Sequence, residues 1–115
     1  MVYKQGGHFL KHQDTEKEKR MFGTLIIQLP SIHTGGELVV YDNTKKNKKV
    51  IDFGQKTGKN RHSIHFAAHY ADLEHELLEV KSGYRIALVY SLCWIHGKWG
   101  FIFIIIIFIN SILFI

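Results

Sequence analysis

The sequence predicts a mainly β protein, built as a sandwich or barrel of short strands. Short runs rich in Val, Ile, Leu and aromatic residues predict the strands. These runs are TLIIQL (24–29), ELVVYD (37–42), VIDF (50–53), SIHFAA (63–68), HELLEV (75–80) and YRIALVYSL (84–92). Turn-forming residues separate them, among them Pro30, Gly35, Gly36, Gly54, Gly58 and Gly83. Short strands with turns at such close intervals are typical of sandwiches and barrels.

Length and composition indicate one small domain with a packed core. The chain has 115 residues, of which 46% are hydrophobic and 13% aromatic. Its net charge is +5, and lysines cluster within residues 45–61. This stretch lies among Asn, Thr and Gly and lacks interleaved aromatic residues, so we expect a solvated loop and rank a nucleic-acid partner last. The single cysteine, Cys93, rules out an internal disulfide and a cysteine-based zinc site. Residues 1–20 are polar, and we therefore expect a cytoplasmic protein.

The chain divides into a mixed region, residues 1–94, and a hydrophobic tail, residues 95–115. Within the tail, WGFIFIIIIFINSILFI (99–115) is almost wholly apolar. It is shorter than the roughly 20 residues that a helix needs to span a bilayer. Three interpretations stay open: a membrane anchor, which would make the protein membrane-associated, an extra core element, or a non-native terminus.

A candidate metal motif lies near the start of the chain, in HFLKHQD. If residues 8–14 are extended, Leu10, His12 and Asp14 point to one face of the strand. Two histidines and one carboxylate can hold Fe(II) and leave three coordination positions open. The pair alone is common by chance and needs a third ligand from elsewhere. The candidates are His33, His62, His65, His69, His75 and His96.

His75 is favoured as the third ligand because Arg85 follows ten residues later, at the start of another strand. Across a hairpin, this spacing sets a histidine and an arginine in one pocket. The planar guanidinium of arginine clasps a carboxylate through two hydrogen bonds. A dicarboxylate could then chelate the metal at one end and meet Arg85 at the other. Taken singly, His75 is interpreted as a surface residue and Arg85 as half of an ion pair. The order in which His-x-Asp, the Gly-Gly turn, His75 and Arg85 follow one another along the chain favours a metal and co-substrate site. His65 and His69 are expected to be polar or half-buried residues.

These motifs resemble those of Fe(II)/2-oxoglutarate-dependent dioxygenases, in particular the prolyl 4-hydroxylase-like branch. The resemblance covers residues 2 to about 94. YKQGGHFLKHQD resembles the segment that leads to the family's His-x-Asp pair. TLIIQLPSIHTGGELVVYD is similar to its strand, turn, Gly-Gly-Glu and strand. YADLEHELLEV and SGYRIALVYSL resemble the segments with the second iron-binding histidine and the basic co-substrate residue.

The resemblance implies a double-stranded β-helix, a jelly-roll type of barrel, here minimal and truncated. It implies Fe(II) bound by His12, Asp14 and His75, and 2-oxoglutarate bound by Arg85 with Tyr3 as a partner. It further implies O₂ as co-substrate, succinate and CO₂ as products, ascorbate as an accessory reductant, and a protein or small-molecule substrate that no residue here selects.

The chain departs from the family pattern at two points. Many relatives carry a hydroxyl residue two positions after the basic residue; Ala87 stands there, and we expect Thr24 to supply the missing co-substrate contact. The supporting elements that usually cover the larger sheet are absent, so one apolar sheet face is expected to be uncovered. The alternative function is therefore a non-catalytic β-barrel binding module, truncated or anchored by the tail.

Overall fold

The computed structural model describes residues 1–15, 20–94 and 104–108, and nearly all the regular structure in these residues is β. In chain order the strands are β1 (Val2–Tyr3), β2 (Phe9–His12), β3 (Met21–Gln28), β4 (His33–Gly35), β5 (Leu38–Tyr41), β6 (Lys48–Ile51), β7 (His65–Tyr70), β8 (His75–Leu77), β9 (Val80–Gly83), β10 (Arg85–Trp94) and β11 (Ile104–Phe108). A single 3-10 turn covers Lys59–Arg61. The mainly β class that the sequence predicts is confirmed for the described residues.

Two antiparallel sheets form the body of the fold. The larger has the order β1-β10-β3-β7, with β11 also paired to β10, and the smaller has the order β2-β8-β5-β6. A separate pair joins β4 and β9. Sequence neighbours are repeatedly placed in different sheets, since β1 and β3 lie in the larger and β2 in the smaller. This arrangement is compatible with the predicted jelly roll.

The core lies between the sheets, and strand alternation determines which residues enter it. On β3, Thr24, Ile26 and Gln28 are buried, whereas Leu25 and Ile27 are only partly buried. The main apolar cluster consists of Tyr3, Ile26, Leu38, Phe53, Leu77, Val80 and Ala87. Burying one large aliphatic side chain in such a cluster contributes about 1.5–3 kcal/mol. A polar residue at an inward position gives up this stabilisation, so the inward polar residues are candidates for a functional site.

The outer side of the larger sheet carries exposed aromatic residues. On its edge strand β7, Phe66 is 75% and Tyr70 is 64% exposed. That the apolar sheet face as a whole is uncovered stays a prediction, because Tyr90 and Leu92 on β10 are buried.

Several strand boundaries differ from the predicted ones, and two of these differences change the architecture. HELLEV, predicted as one strand, forms β8 in the smaller sheet and β9 in the pair with β4. The adjacent apolar residues Leu77 and Leu78 hide this break in the sequence, but only Leu77 is buried. The strand predicted over 50–53 begins earlier, at Lys48, so part of the lysine-rich stretch is an exposed edge strand rather than a loop.

Of the hydrophobic tail, only the segment Ile104–Phe108 is described, as a strand that pairs antiparallel with β10. The remainder of the tail, and the charged stretch 16–19, lie outside the described residues, and so do His96 and most of the segment predicted as a membrane anchor. In the described part of the chain, no helix is sufficiently long and apolar to cross a bilayer.

The turn before Arg85 requires a glycine. Gly83 ends β9 with φ +73°, and a Cβ built there would lie 2.1 Å from the carbonyl oxygen of Ile32. Both the left-handed backbone and the close approach exclude a side chain. Because Arg85 begins β10 two residues later, Gly83 helps to determine where its guanidinium lies.

We expect Gly83→Ala to destabilise the protein more than Gly58→Ala. Gly58 has φ +71° and open space around its Cβ position, so its substitution introduces only the left-handed strain of about 1–2 kcal/mol. Gly83→Ala adds a clash with backbone that cannot rotate away. Urea unfolding of both variants measures the difference, and equal losses of unfolding free energy would contradict the role of the close contact.

Candidate metal centre

The pairing of β2 with β8 brings the predicted metal ligands together. His12 and His75 are directly opposite each other in this antiparallel pair, and their ring centroids are 4.5 Å apart. Asp14 lies two residues after the end of β2, and its side chain reaches His75. Its backbone N–H donates a hydrogen bond to the carbonyl of Ala71 at 3.1 Å. One potential ligand atom from each of His12, Asp14 and His75 lies within 4.8 Å of the other two. The three side chains are therefore close enough to share one cation.

The predicted face of β2 is only partly correct. A register shift between Phe9 and His12 interrupts the strand, as a β-bulge does. Leu10 consequently points to solvent and is 77% exposed. Phe9 takes the place next to the site and contacts the rings of His12 and His75 edge-on, with centroid distances of 5.1 and 5.7 Å. Strict alternation predicted Leu10 on the same face as the ligands, and the bulge explains why this is wrong.

Backbone carbonyls fix the orientation of both imidazoles. Nδ1 of His12 donates to the carbonyl of Leu10 at 2.8 Å, and Nδ1 of His75 donates to the carbonyl of Leu73 at 3.1 Å. A carbonyl oxygen only accepts, so the hydrogen resides on Nδ1 in each ring. Nε2 is then the atom that each ring can offer to a metal.

Asp14 and His75 form an ion pair in the absence of a metal. Nε2 of His75 lies 3.3 Å from Oδ1 of Asp14, and the hydroxyl of Thr24 donates to Oδ2. Burial alone would raise the pKa of Asp14, but the hydrogen bonds from His75 and Thr24 outweigh it and lower that pKa to about 2. Burial alone would lower the pKa of His75, but the hydrogen bond to Asp14 and the carbonyl of Leu73 raise it. A divalent cation bound here would replace the shared proton.

Arg85 is buried without an acidic partner among the described residues. Its side chain is only 2% exposed, and neither Nε nor Nη2 has a hydrogen-bond partner. Its guanidinium carbon lies 5.4 Å from the ring centre of Tyr3 and 5.2 Å from that of Phe53. Burial lowers the pKa of Arg85 to about 10, while Tyr3 acts in the opposite direction, so the guanidinium is still charged at neutral pH. A buried, unpaired cation is costly, and an anion would relieve that cost.

A chain of aromatic contacts links Arg85 to the ligand set. Tyr3 lies beside Arg85, and its ring is 6.4 Å from that of Phe9. Phe9 in turn contacts His12 and His75. These contacts connect the buried cation to a ligand set in which His75 is buried, Asp14 is half-buried and His12 is exposed.

Tyr3 and Thr24, which are predicted to contact the co-substrate, are both buried. The side chain of Tyr3 is 1% exposed, and its hydroxyl lies 3.1 Å from Sδ of Met1. The Thr24 hydroxyl is engaged by Asp14, which gives it a role in orienting that carboxylate. A direct contact of either hydroxyl with a co-substrate stays a prediction.

Several buried polar residues were not predicted from the sequence, among them Gln28 and His69. Gln28 is 1% exposed, lies opposite Ala87 and has no hydrogen-bond partner at either amide atom. His69, expected to be polar or half-buried, is 8% exposed, and its ring centre lies 4.2 Å from that of His75. The burial of Gln28 could have been predicted from the alternation of side chains along β3, because Gln28 shares the inward face with Thr24. No comparable signal identified His69 over His65 on the same strand.

Comparison with known proteins agrees with this geometry. A family profile described as the 2OG-Fe(II) oxygenase superfamily matches residues 1–96. The chain is also similar to the crystal structure of an oxidoreductase of the 2OG-Fe(II) oxygenase family from Burkholderia pseudomallei, with a TM-score of 0.61 and 20% sequence identity. That alignment covers 78% of this chain and 38% of the other. A search of curated proteins found no match.

The chain belongs to the 2OG-Fe(II) oxygenase superfamily, because the family profile spans most of its length. The family is one of oxidoreductases that use Fe(II), 2-oxoglutarate and O₂. The structural likeness supports the same fold, and this chain spans well under half of the Burkholderia protein. The donor set fits the metal, since two imidazoles and a carboxylate suit Fe(II) and leave positions open.

We expect the Asp14–His75 pair to stabilise the metal-free protein most between about pH 4 and pH 6.5. The folded pKa of Asp14 is about 2, below its ordinary 3.8, so its contribution is present above 3.8 and is lost as the pH falls towards 2. The folded pKa of His75 is above its ordinary 6.5, so its contribution is present below 6.5 and is lost as the pH rises through the folded value. Asp14→Asn should cost about 1–3 kcal/mol inside this window and less outside it. Urea unfolding at a series of pH values, with a chelator present, measures this cost inside and outside the window.

Asp72→Asn provides the control, because Asp72 is exposed and carries the same charge. We expect that substitution to leave the shape of the pH profile unchanged. A constant stability difference between Asp14→Asn and the unsubstituted protein at every pH would show that the pair does not act as described.

Proposed function

We propose that this protein is an Fe(II)- and 2-oxoglutarate-dependent dioxygenase that hydroxylates its substrate, with residues 1–94 as the catalytic domain. The observation that carries the proposal is the buried, unpaired guanidinium of Arg85, which Tyr3 and Phe9 connect to the potential metal ligands. A metal triad alone fits several chemistries. A metal triad linked in this way to an unpaired cation fits a dicarboxylate co-substrate in particular.

Each residue has a distinct role in this proposal. His12, Asp14 and His75 hold Fe(II), which supplies the oxidising chemistry when O₂ and 2-oxoglutarate are present. Arg85 binds the distal carboxylate of 2-oxoglutarate through its free N–H groups, and Tyr3 lies beside it as the further hydrogen-bond partner. Thr24 holds the Asp14 carboxylate in place, as groups around a metal site commonly do.

The protein groups contribute orientation and exclusion of water. The carbonyls of Leu10 and Leu73 fix the imidazole rings, and Phe9 covers them from one side. Arg85 sits among aromatic rings rather than in water. A rigid and partly dry site orients both co-substrates and protects the substrate reaction from side reactions.

A prolyl or other protein side chain is our proposed substrate, with succinate and CO₂ as co-products. Support comes from the four sequence motifs, which are most similar to the prolyl 4-hydroxylase-like branch. No described residue distinguishes a peptide from a small molecule, and ascorbate as a reductant rests on the same resemblance.

Anaerobic titration of the full chain with Fe(II) and 2-oxoglutarate tests the proposal. We expect the weak visible charge-transfer band that marks 2-oxoglutarate chelated to Fe(II). His12→Ala should abolish the band, because two ligands hold the metal poorly. Arg85→Ala should preserve Fe(II) binding and weaken 2-oxoglutarate binding by roughly 10-fold or more, as expected for a lost charge-assisted contact worth about 1.5–3 kcal/mol.

Two matched controls accompany these variants. His8 is exposed and makes the same type of Nδ1 contact, to the carbonyl of Gly6 at 2.9 Å, and Arg61 is an exposed arginine. His8→Ala and Arg61→Ala should leave the band unchanged. A wild-type chain without the band would contradict the enzyme proposal and leave the non-catalytic barrel as its replacement.

A further inference from the structure

A third imidazole packs against the proposed metal centre. His69, on β7 of the larger sheet, faces His75 across the interior with ring centres 4.2 Å apart and planes inclined by 41°. It is 8% exposed. Because His12 and His75 lie on paired strands of the smaller sheet, both sheets contribute histidines to this region. The roles proposed above do not use His69.

The hydrogen bonding of His69 determines which atom is free. Nδ1 lies 3.0 Å from the carbonyl oxygen of Tyr70, which can only accept, so Nδ1 carries the hydrogen. In the neutral ring Nε2 is then an acceptor. That Nε2 is buried and has no hydrogen-bond partner among the described residues. An unsatisfied buried acceptor is costly, and native proteins usually supply a partner.

His69 is nevertheless not grouped with the metal ligands. The set of side chains whose ligand atoms lie within 4.8 Å of one another contains His12, Asp14 and His75. His69 is not a member of this set, although its ring contacts that of His75.

His69 also lines a cleft that reaches the surface. The cleft has a volume of about 850 Å³ and lies between β7 and the edge formed by β5 and β6, with Val40, Ile51 and Phe66 among its walls. His69 therefore belongs both to the wall of this cleft and to the ring contact with His75.

We propose that His69 is a positioning residue whose Nε2 accepts a hydrogen bond from a water molecule bound to the metal of this centre. The inference rests on the proposed function, because it requires a metal bound by His12, Asp14 and His75. Water provides the missing donor, and the buried acceptor in turn orients that water. Residues that hydrogen-bond to metal-bound groups typically change metal affinity 10–100-fold when they are removed.

Co(II) binding to the metal-free full chain tests this role without turnover. We expect His69→Phe, which preserves the ring shape but removes the acceptor, to weaken Co(II) binding about 10-fold. Its visible bands should intensify, because loss of the ordered water lowers the coordination number. His69→Gln, whose side-chain carbonyl can accept, should restore most of the affinity and the weaker bands. Thermal unfolding of each metal-free variant verifies that it folds.

His65→Phe is the matched control, since His65 is on the same strand but its Nδ1 contact, to the carbonyl of Ser63, is exposed. We expect it to bind Co(II) as the unsubstituted chain does. Unchanged Co(II) affinity and an unchanged visible spectrum in His69→Phe would overturn the inference. Pulsed EPR of the Fe(II)–NO complex provides a second test: if the variant has lost a coordinated imidazole, His69 is itself a ligand, and the inference is wrong. Absence of Co(II) binding by the unsubstituted chain would instead overturn the proposed function on which it rests.

Discussion

The pairing of β2 with β8 is the constraint on which the rest of the site depends. It places His12 opposite His75, and the bulge before His12 sends the chain back so that Asp14 reaches the same point. Neither strand is long, and each alone would be marginal. Their pairing is maintained because β8 also pairs with β5, which ties the site to the centre of the smaller sheet. A shift of one residue in that register would separate the two imidazoles.

Two kinds of unfavourable electrostatics are concentrated in this interior. Arg85 is a buried cation without an acidic partner in the described chain, and Gln28 and His69 hold unsatisfied polar atoms. Each costs stability in a fold whose core is small. Such costs are typical of ligand-binding sites. A ligand that binds only the folded state raises the free energy of unfolding and so offsets them. Of these groups, Arg85 is the one that the proposed dicarboxylate would satisfy, and His69 is the one that contacts a potential metal ligand.

The sequence allowed the strands and the three convergent ligands to be predicted, because both depend on local pattern and motif order. Apolar runs identified most of β3, β5, β7 and β10. The hairpin expected to join His75 and Arg85 is wrong, because β8 and β10 lie in different sheets, and their shared pocket stays a prediction. The break between β8 and β9 could not be predicted, because two leucines make the run continuous. The outward turn of Leu10 depends on a bulge, and the contact of His69 with His75 depends on how one sheet packs on the other. Neither has a local signature.

The histidines show why convergence, rather than local geometry, defines this site. A hydrogen bond from Nδ1 to the carbonyl two residues earlier recurs in His8, His12, His65 and His75. Because this contact is local and orients exposed and buried rings alike, it does not identify a functional histidine. His69 differs, because its Nδ1 bonds to the carbonyl of the following residue and its Nε2 is left buried beside His75. Tertiary packing alone accounts for that position. The argument for function therefore depends on the residues that the two sheets bring together.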